Sequence, residues 1–258
     1  MLSLSWAVMV VTLTHAAATP QTVADPPAPP ASSTPPTPGA QPAPPAPPVP
    51  SPPPTPTKTA MDYFKSGSIH LGGGNLEQAL ADFTEAIRLK PNFWAAYLNR
   101  GTALRRKGEF DQAIADYNQA IQMKPDLYDA YTLRGICYGK KGQYQEAIAD
   151  YARALEKKPH YLTYNGLAWI YATSKKKECR NGARAVELAQ KAVLFHRNAN
   201  SLSTLAAAYA ETGKFKEAIE TQEAALELLH QRGPVPQEEL AGYDQRLQAY
   251  QSHKPWRE

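Results

Sequence analysis

Apolar and polar positions alternate along this chain with the period of an α-helix. Ala79, Leu80, Phe83, Ala86 and Ile87 fall at i, i+1, i+4, i+7 and i+8, one stripe of a helix with polar residues between them. The stripe returns as Ala113, Ile114, Tyr117, Ala120 and Ile121, and again as Ala147, Ile148, Tyr151, Ala154 and Leu155. The three stripes start at 79, 113 and 147, so the interval is 34 residues twice. Each is preceded by another helical segment that ends at a glycine, Gly74, Gly108 or Gly142. Glycine suits a helix C-terminus that turns sharply. Each is followed by Pro91, Pro125 or Pro159, which stops the second helix. One repeat therefore predicts helix, turn, helix, turn.

Small residues recur at the same interval and say how the helices pack. Gly67, Gly101 and Gly135 lie midway along the first helix of each repeat. Ala79, Ala113 and Ala147 lie on the second helix, followed by Ala86, Ala120 and Ala154. Small side chains let two helix backbones approach closely, and Tyr63, Tyr97 and Tyr131 are expected to fill the space beside them. Neither helix buries its stripe alone, so such units are stable only when stacked in arrays of about three or more.

The spacing of Tyr97, Gly101, Leu104, Gly108, Phe110, Ala113, Tyr117, Ala120 and Pro125 resembles a tetratricopeptide repeat, position by position. Segments 60–93, 94–127 and 128–161 share the resemblance. Two degraded units follow. Segment 161–198 keeps Ala168, Ala185 and Ala192 in the small slots, with a loop longer by about five residues and no closing proline. Segment 199–232 returns to standard spacing with Ala206, Gly213, Phe215, Ala218 and Ala225. Residues 234–258 then read as one amphipathic helix with Leu240, Tyr243, Leu247 and Tyr250 on a face, and a tail. The resemblance implies an all-α, right-handed α-solenoid of about five helix-turn-helix repeats over 60–233. A C-terminal capping helix follows over 234–258. The C-terminal part is also similar to bacterial repeat proteins, several of them exported.

Composition adds a second region. Of 24 prolines in 258 residues, 18 lie between Pro20 and Thr57. Proline lacks an N–H and fixes φ, so residues 19–59 are expected to be a disordered, semi-rigid linker of polyproline II character. Its PxxP spacing has a second use, docking into an aromatic groove. Residues 1–57 hold no Lys or Arg and one acid, Asp25, so the remainder carries 28 basic and 23 acidic residues, a net charge of +5. That mild excess does not call for nucleic acid. The apolar run before Ala16-Ala17-Ala18 predicts a signal peptide over 1–18. No basic residue precedes the run, so an uncleaved anchor remains an alternative. The run is too short and too broken by Ser and Thr for a stable membrane span. Export to the periplasm or medium of a bacterium is the expectation.

Chemistry is sparse. The His residues stand at 15, 70, 160, 196, 230 and 253, and none forms a zinc-protease helix. Phosphate-loop and nucleophile-elbow patterns are lacking, and "LGGGN" (71–75) follows a helix rather than a strand. Cys137 falls in a small-residue slot and is expected to be buried and inert, while Cys179 sits in a polar stretch and is a candidate reactive thiol. No catalytic residues, metal ligands or cofactor are assigned.

Recognition is the remaining class. The resemblance implies that first helices line the concave face and bind a protein or peptide partner. The inward set is Phe64, Leu98, Asn99, Thr102, Arg105, Arg106, Thr132, Ile136, Lys140 and Trp169, with Ser68, Leu71, Leu133 and Asn165 beside them. Some repeats of this family clamp a C-terminal carboxylate with two Lys, two Asn and an Arg. Here Asn99 alone matches, with Phe64, Ser68, Asp129 and Leu133 in the other places. Trp169 divides between core packing and groove contact. "RRK" (105–107), "KK" (140–141) and "KKK" (175–177) are expected to end first helices along one edge. Cations there favour the helix dipole. They also offer an alternative function, a basic rim for an anionic envelope polymer. Nucleic acid and a stable membrane span are not expected as partners, and the oligomeric state is left open.

Overall fold

A computed structural model describes residues 58–258. The expected signal peptide (1–18) and the proline-rich segment through residue 57 lie outside the described residues. Thr59, placed in the linker above, is instead the cap of the first helix. Its hydroxyl accepts from the Asp62 N–H and the Asp62 carboxylate accepts from the Thr59 N–H, a reciprocal capping box.

The described residues form eleven α-helices and no strand. Five antiparallel pairs run in chain order: α1 (Ala60–Gly72) with α2 (Leu76–Leu89), α3 (Trp94–Lys107) with α4 (Phe110–Met123), and α5 (Tyr128–Lys140) with α6 (Tyr144–Lys157). Then come α7 (Tyr161–Thr173) with α8 (Gly182–Phe195), α9 (Ala199–Glu211) with α10 (Phe215–Gln231), and a last helix, α11 (Gln237–Gln251). Each helix packs on the next. The odd-numbered helices also touch one another in succession, while the even-numbered ones make no comparable contacts. The odd helices therefore form the inner layer of a solenoid and the even helices the outer.

The turn inside the pair is built the same way four times. Gly74, Gly108, Gly142 and Gly213 take φ of 80°, 83°, 70° and 75°, a left-handed conformation that costs a side-chain-bearing residue strain. The N–H of the next residue then reaches back to a carbonyl at the end of the first helix. These bonds are Asn75 to His70, Glu109 to Leu104, Gln143 to Tyr138 and Lys214 to Tyr209, at 2.9, 2.9, 2.9 and 3.0 Å.

The recurring small residues are buried: the six alanines at 79, 86, 113, 120, 147 and 154 are fully enclosed, and Gly67, Gly101 and Gly135 are buried. The residues against the glycines differ from the expectation. A Cβ on Gly67 would meet the Phe83 ring at 2.8 Å, on Gly101 the Tyr117 ring at 2.8 Å, and on Gly135 the Tyr151 ring at 2.9 Å. These rings come from the second helix. Tyr63 and Tyr97 face the following layer, where Tyr63 packs near Phe93 and Ala96 and Tyr97 near Leu127 and Ala130. The guanidinium groups of Arg100 and Arg134 stack on the rings of Tyr97 and Tyr131, each at 5.5 Å.

A charge pair recurs with the same period. Arg100 grips Asp116 through two nitrogens at 2.7 and 2.8 Å, and Arg134 grips Asp150 at 2.6 and 2.7 Å. Each Arg also reaches the preceding outer helix, at Thr84 or Asn118. In the first repeat Asp82 takes Ser66 and His70 instead. One side chain thus ties three helices together.

The fourth pair departs from the rule. Residues 174–181 replace the glycine turn, and the Asn181 N–H returns to the Tyr171 carbonyl at 2.9 Å. Cys179 lies here in a short 3-10 turn, Lys177–Cys179, and is buried, with Gln145 donating to its sulfur. The candidate reactive thiol is therefore a packed one. Cys137 is also buried, and desolvation pushes its thiol up to about 11.

Candidate functional site

The inner layer opens into a cleft of about 370 Å³ where α5, α7 and α9 meet. Ile136 and Lys140 come from α5, Asn165 and Trp169 from α7, and Ser203 and Thr204 from α9. On α5 and on α7 the two residues are four positions apart, so each pair shares one face of its helix.

Two walls come from the C-terminal region. Arg246 of α11 lies over the cleft with its Nε donating to the Ser203 hydroxyl at 3.0 Å. Its guanidinium sits 4.6 Å from the Tyr243 ring centre and 5.7 Å from that of Trp169. Burial holds its pKa below the usual arginine range, against the smaller raising effects of Tyr250, Tyr243 and Glu258. Beyond α11 the chain turns back. Lys254 N–H bonds to Ala249 O at 2.9 Å, and Trp256 packs on the core shared by α7 and α9. Arg257 donates to the Ala172 carbonyl at 3.2 Å and pairs with Glu211 at 2.6 Å, which also holds Arg180 at 3.1 Å. Glu258 then lies along the end of α7. Its N–H bonds to Thr173 O at 3.0 Å, Tyr144 OH donates to its main-chain oxygen at 2.8 Å, and its carboxylate faces Lys140 at 3.6 Å. The expected cap is thus also a strap across the inner layer.

Of the inward residues read from the sequence, Ile136, Lys140 and Trp169 line the cleft together, with Asn165. Trp169 is half-buried and does both things expected of it, packing on the core and walling the cleft. Phe64, Leu98, Asn99, Thr102 and Arg105 lie farther up the array and are half-buried. Phe64 stacks against Phe83 and Phe93, Asn99 donates to Ser68 Oγ at 3.4 Å, and Thr102 donates to the Leu98 carbonyl. Thr132 is buried, with its hydroxyl against that of Thr163 at 2.9 Å, and so belongs to the packing between α5 and α7.

The basic rim is more neutral than its sequence suggests. Arg106 donates to the Leu71 carbonyl at 2.8 Å. Lys107 pairs with Glu77 and Glu109, and one period on Lys141 pairs with Asp111. Lys175, Lys176 and Lys177 follow the end of α7 rather than ending it, and are exposed. Arg246, Ser203 and the tail stand outside the set expected from the sequence. Their positions follow from the fold-back of α11 and carry no 34-residue signature. A basic residue on a helix face otherwise lined by Tyr243, Leu247 and Tyr250 was the available signal.

A stacked array of helix pairs whose first helices face inward is the architecture of a helical repeat scaffold. Residues 64–131, 128–161 and 198–232 each match a tetratricopeptide repeat family model. The chain is a tetratricopeptide repeat protein. No curated protein matches it. Among solved structures it is similar to a chain of the APC/C hetero-tetramer Cut9-Hcn1, at 19% identity and a TM-score of 0.64, over 76% of this chain and 36% of that one. It is also similar to MamA (residue 41 to the end) from Desulfovibrio magneticus RS-1, at 21% and 0.57, over 68% and 97%. A thermophilic repeat protein of Thermus thermophilus gives 16% and 0.56, over 75% and 100%. At these identities the likeness establishes the fold. Repeats of this family are interaction modules. Among the described residues no helix is long and apolar enough to cross a membrane.

Proposed function

We propose that this chain is a non-catalytic scaffold that holds a protein or peptide partner against its inner helices. The observation that carries the proposal is the cleft. It is walled by Ile136 and Trp169, edged by Lys140 and Arg246, and sits on the face where successive first helices meet. Its size and its mix of apolar walls with a few polar groups suit a short segment of chain. The matched chain of the Cut9-Hcn1 structure, which shares the fold, stands in a hetero-tetramer. That is consistent with an assembly role.

The scaffold works outside the cytoplasm of a bacterium in this proposal, exported by residues 1–18 and held off a surface by residues 19–57. The support is the apolar run before Ala16–Ala18 and the proline density after it. Fractionation of cells and mass measurement of the mature N-terminus test that part.

The partner test uses residues 19–258 as bait at physiological salt, beside a second bait carrying Trp169→Ala and Lys140→Glu. A protein retained by the first and lost by the second supports the cleft. The same protein held equally by both moves the contact to the outer helices or the proline-rich segment. An anionic polymer on the rim would instead be lost steeply as salt rises, with both baits alike.

A further inference from the structure

Arg246 differs from the other arginines that tie the C-terminal half together. Arg134 has Asp150, and Arg180 and Arg257 share Glu211. Arg246 is half-buried and has no carboxylate within ion-pair distance among the described residues. Arginine cannot shed its proton to escape burial. A guanidinium partly removed from water and unpaired gains from an anion that meets it. Its Nε is used by Ser203, and its two terminal nitrogens have no hydrogen-bond partner among the described residues. The faces of Tyr243 and Trp169 hold the group in place, so little freedom is left to lose on binding.

A second group is also unmatched. Asn165 is 8% exposed and lines the cleft, and its side-chain oxygen is buried without a hydrogen-bond partner. A buried unpaired amide oxygen costs free energy that a peptide N–H would recover. The one acidic side chain lining the cleft, Glu258, pairs with Lys140 and acts on Arg246 only from beyond ion-pair distance. Two cationic side chains and one anionic one therefore line the cleft.

We propose that Arg246 receives the carboxylate of an Asp or Glu side chain from an extended partner segment, whose main chain donates to Asn165. This deepens the scaffold reading above and rests on it. The guanidinium presents two parallel N–H groups that match a carboxylate and not a neutral amide. The apolar walls, Ile136, Leu162 and Trp169, take a hydrophobic neighbour of the acid.

The test is selection of random dodecapeptides displayed on phage, at 0.15 M salt, on the full chain and on Arg246→Gln and Lys140→Gln. One selected peptide is then synthesised with its acid as Glu and as Gln, and both are titrated into the unaltered chain. Enrichment of Asp or Glu at one position beside an apolar residue is expected. The Gln peptide should bind about tenfold to a hundredfold more weakly. The preference should vanish with Arg246→Gln and persist with Lys140→Gln. The Glu and Gln pair is read on the unaltered chain, so it decides the matter even if Arg246→Gln unfolds. Peptides selected without an acid, equal affinity of the pair, or a preference that follows Lys140 overturns the carboxylate assignment while leaving the scaffold standing. Selection of no peptide at all counts against both.

Discussion

The first three helix pairs and the last two are built on different rules. From α1 to α6 the ties are periodic: glycine against an aromatic ring and a left-handed glycine at each turn in all three pairs, and arginine against aspartate in the second and third. Contacts reach only to the next layer. From α7 onward the period is interrupted, although the α9–α10 turn keeps its left-handed Gly213. The Arg and Asp pair has no counterpart, the α7–α8 turn is replaced by 174–181, and Tyr144 bonds to Glu258 across 114 positions. The periodic half makes a rod. The aperiodic half folds back on the rod, and the cleft forms where the two meet. The cleft in this molecule is placed where the repeat is broken.

The largest test of that division is Tyr151. Its ring lies against Gly135 on one side and against Gly166 of α7 on the other, where a Cβ would come within 2.6 Å. It is therefore a packing link between the two halves. Tyr151→Ala should cost ~3–5 kcal/mol, the range for removing a buried aromatic ring. Urea unfolding would show a lower midpoint, and a separate early phase for 161–258 if this link alone joins the halves. A midpoint within error of the unaltered chain would remove Tyr151 from that role.

Next comes Arg134. Its loss leaves Asp150, 4% exposed at its side chain, without its partner. Stranding a buried charge costs on the order of 3 kcal/mol. Arg100→Ala should behave alike, because Asp116 is 6% exposed and the geometry is the same. Equal losses of midpoint would show that the array is periodic in energy as well as in shape. A large inequality would mean that position along the rod matters more than the bond.

Gly101→Leu is smaller. The Tyr117 ring leaves no room for a Cβ, so the two helices must part, at ~1–3 kcal/mol. Circular dichroism melts of Gly101→Leu beside Gly108→Ala separate packing from turn strain, since nothing stands within 4 Å of a Cβ at Gly108.

Most of the rod was legible in the sequence because a period states itself several times. Gly101, Ala113 and Pro125 each have counterparts 34 residues away, and one repeat corrects the reading of another. Two features of the rod escaped that reading. Tyr97 and Tyr117 are both helical aromatics near Gly101, and spacing alone does not say which helix supplies the ring against it. The Arg100–Asp116 pair also recurs in the sequence, but a salt bridge between helices looks like any two surface charges until the helices are placed. Little of the cleft was legible. Ile136, Lys140 and Trp169 came from the repeat register, whereas Arg246 and the tail reach the cleft through a reversal at His253, with φ of 53°, that no periodicity announces.

The smallest expected effect separates the two kinds of charge. Lys141 and Asp111 pair on the exposed edge, where water and ions screen the attraction and two long side chains must be ordered to make it. Glu211 instead holds Arg180 and Arg257 with its carboxylate 13% exposed, and through Arg257 it anchors the strap. Lys141→Ala should therefore give no resolvable change in melting midpoint at high salt, and at most a slight one at low salt. Glu211→Gln should lower the midpoint at both salts. It should also let a protease cut near Lys254, because the tail loses the bond that closes it. If Lys141→Ala proved the more damaging of the two, the edge pairs would be structural ties like Arg134–Asp150, and the strap would be an appendage rather than a wall of the cleft.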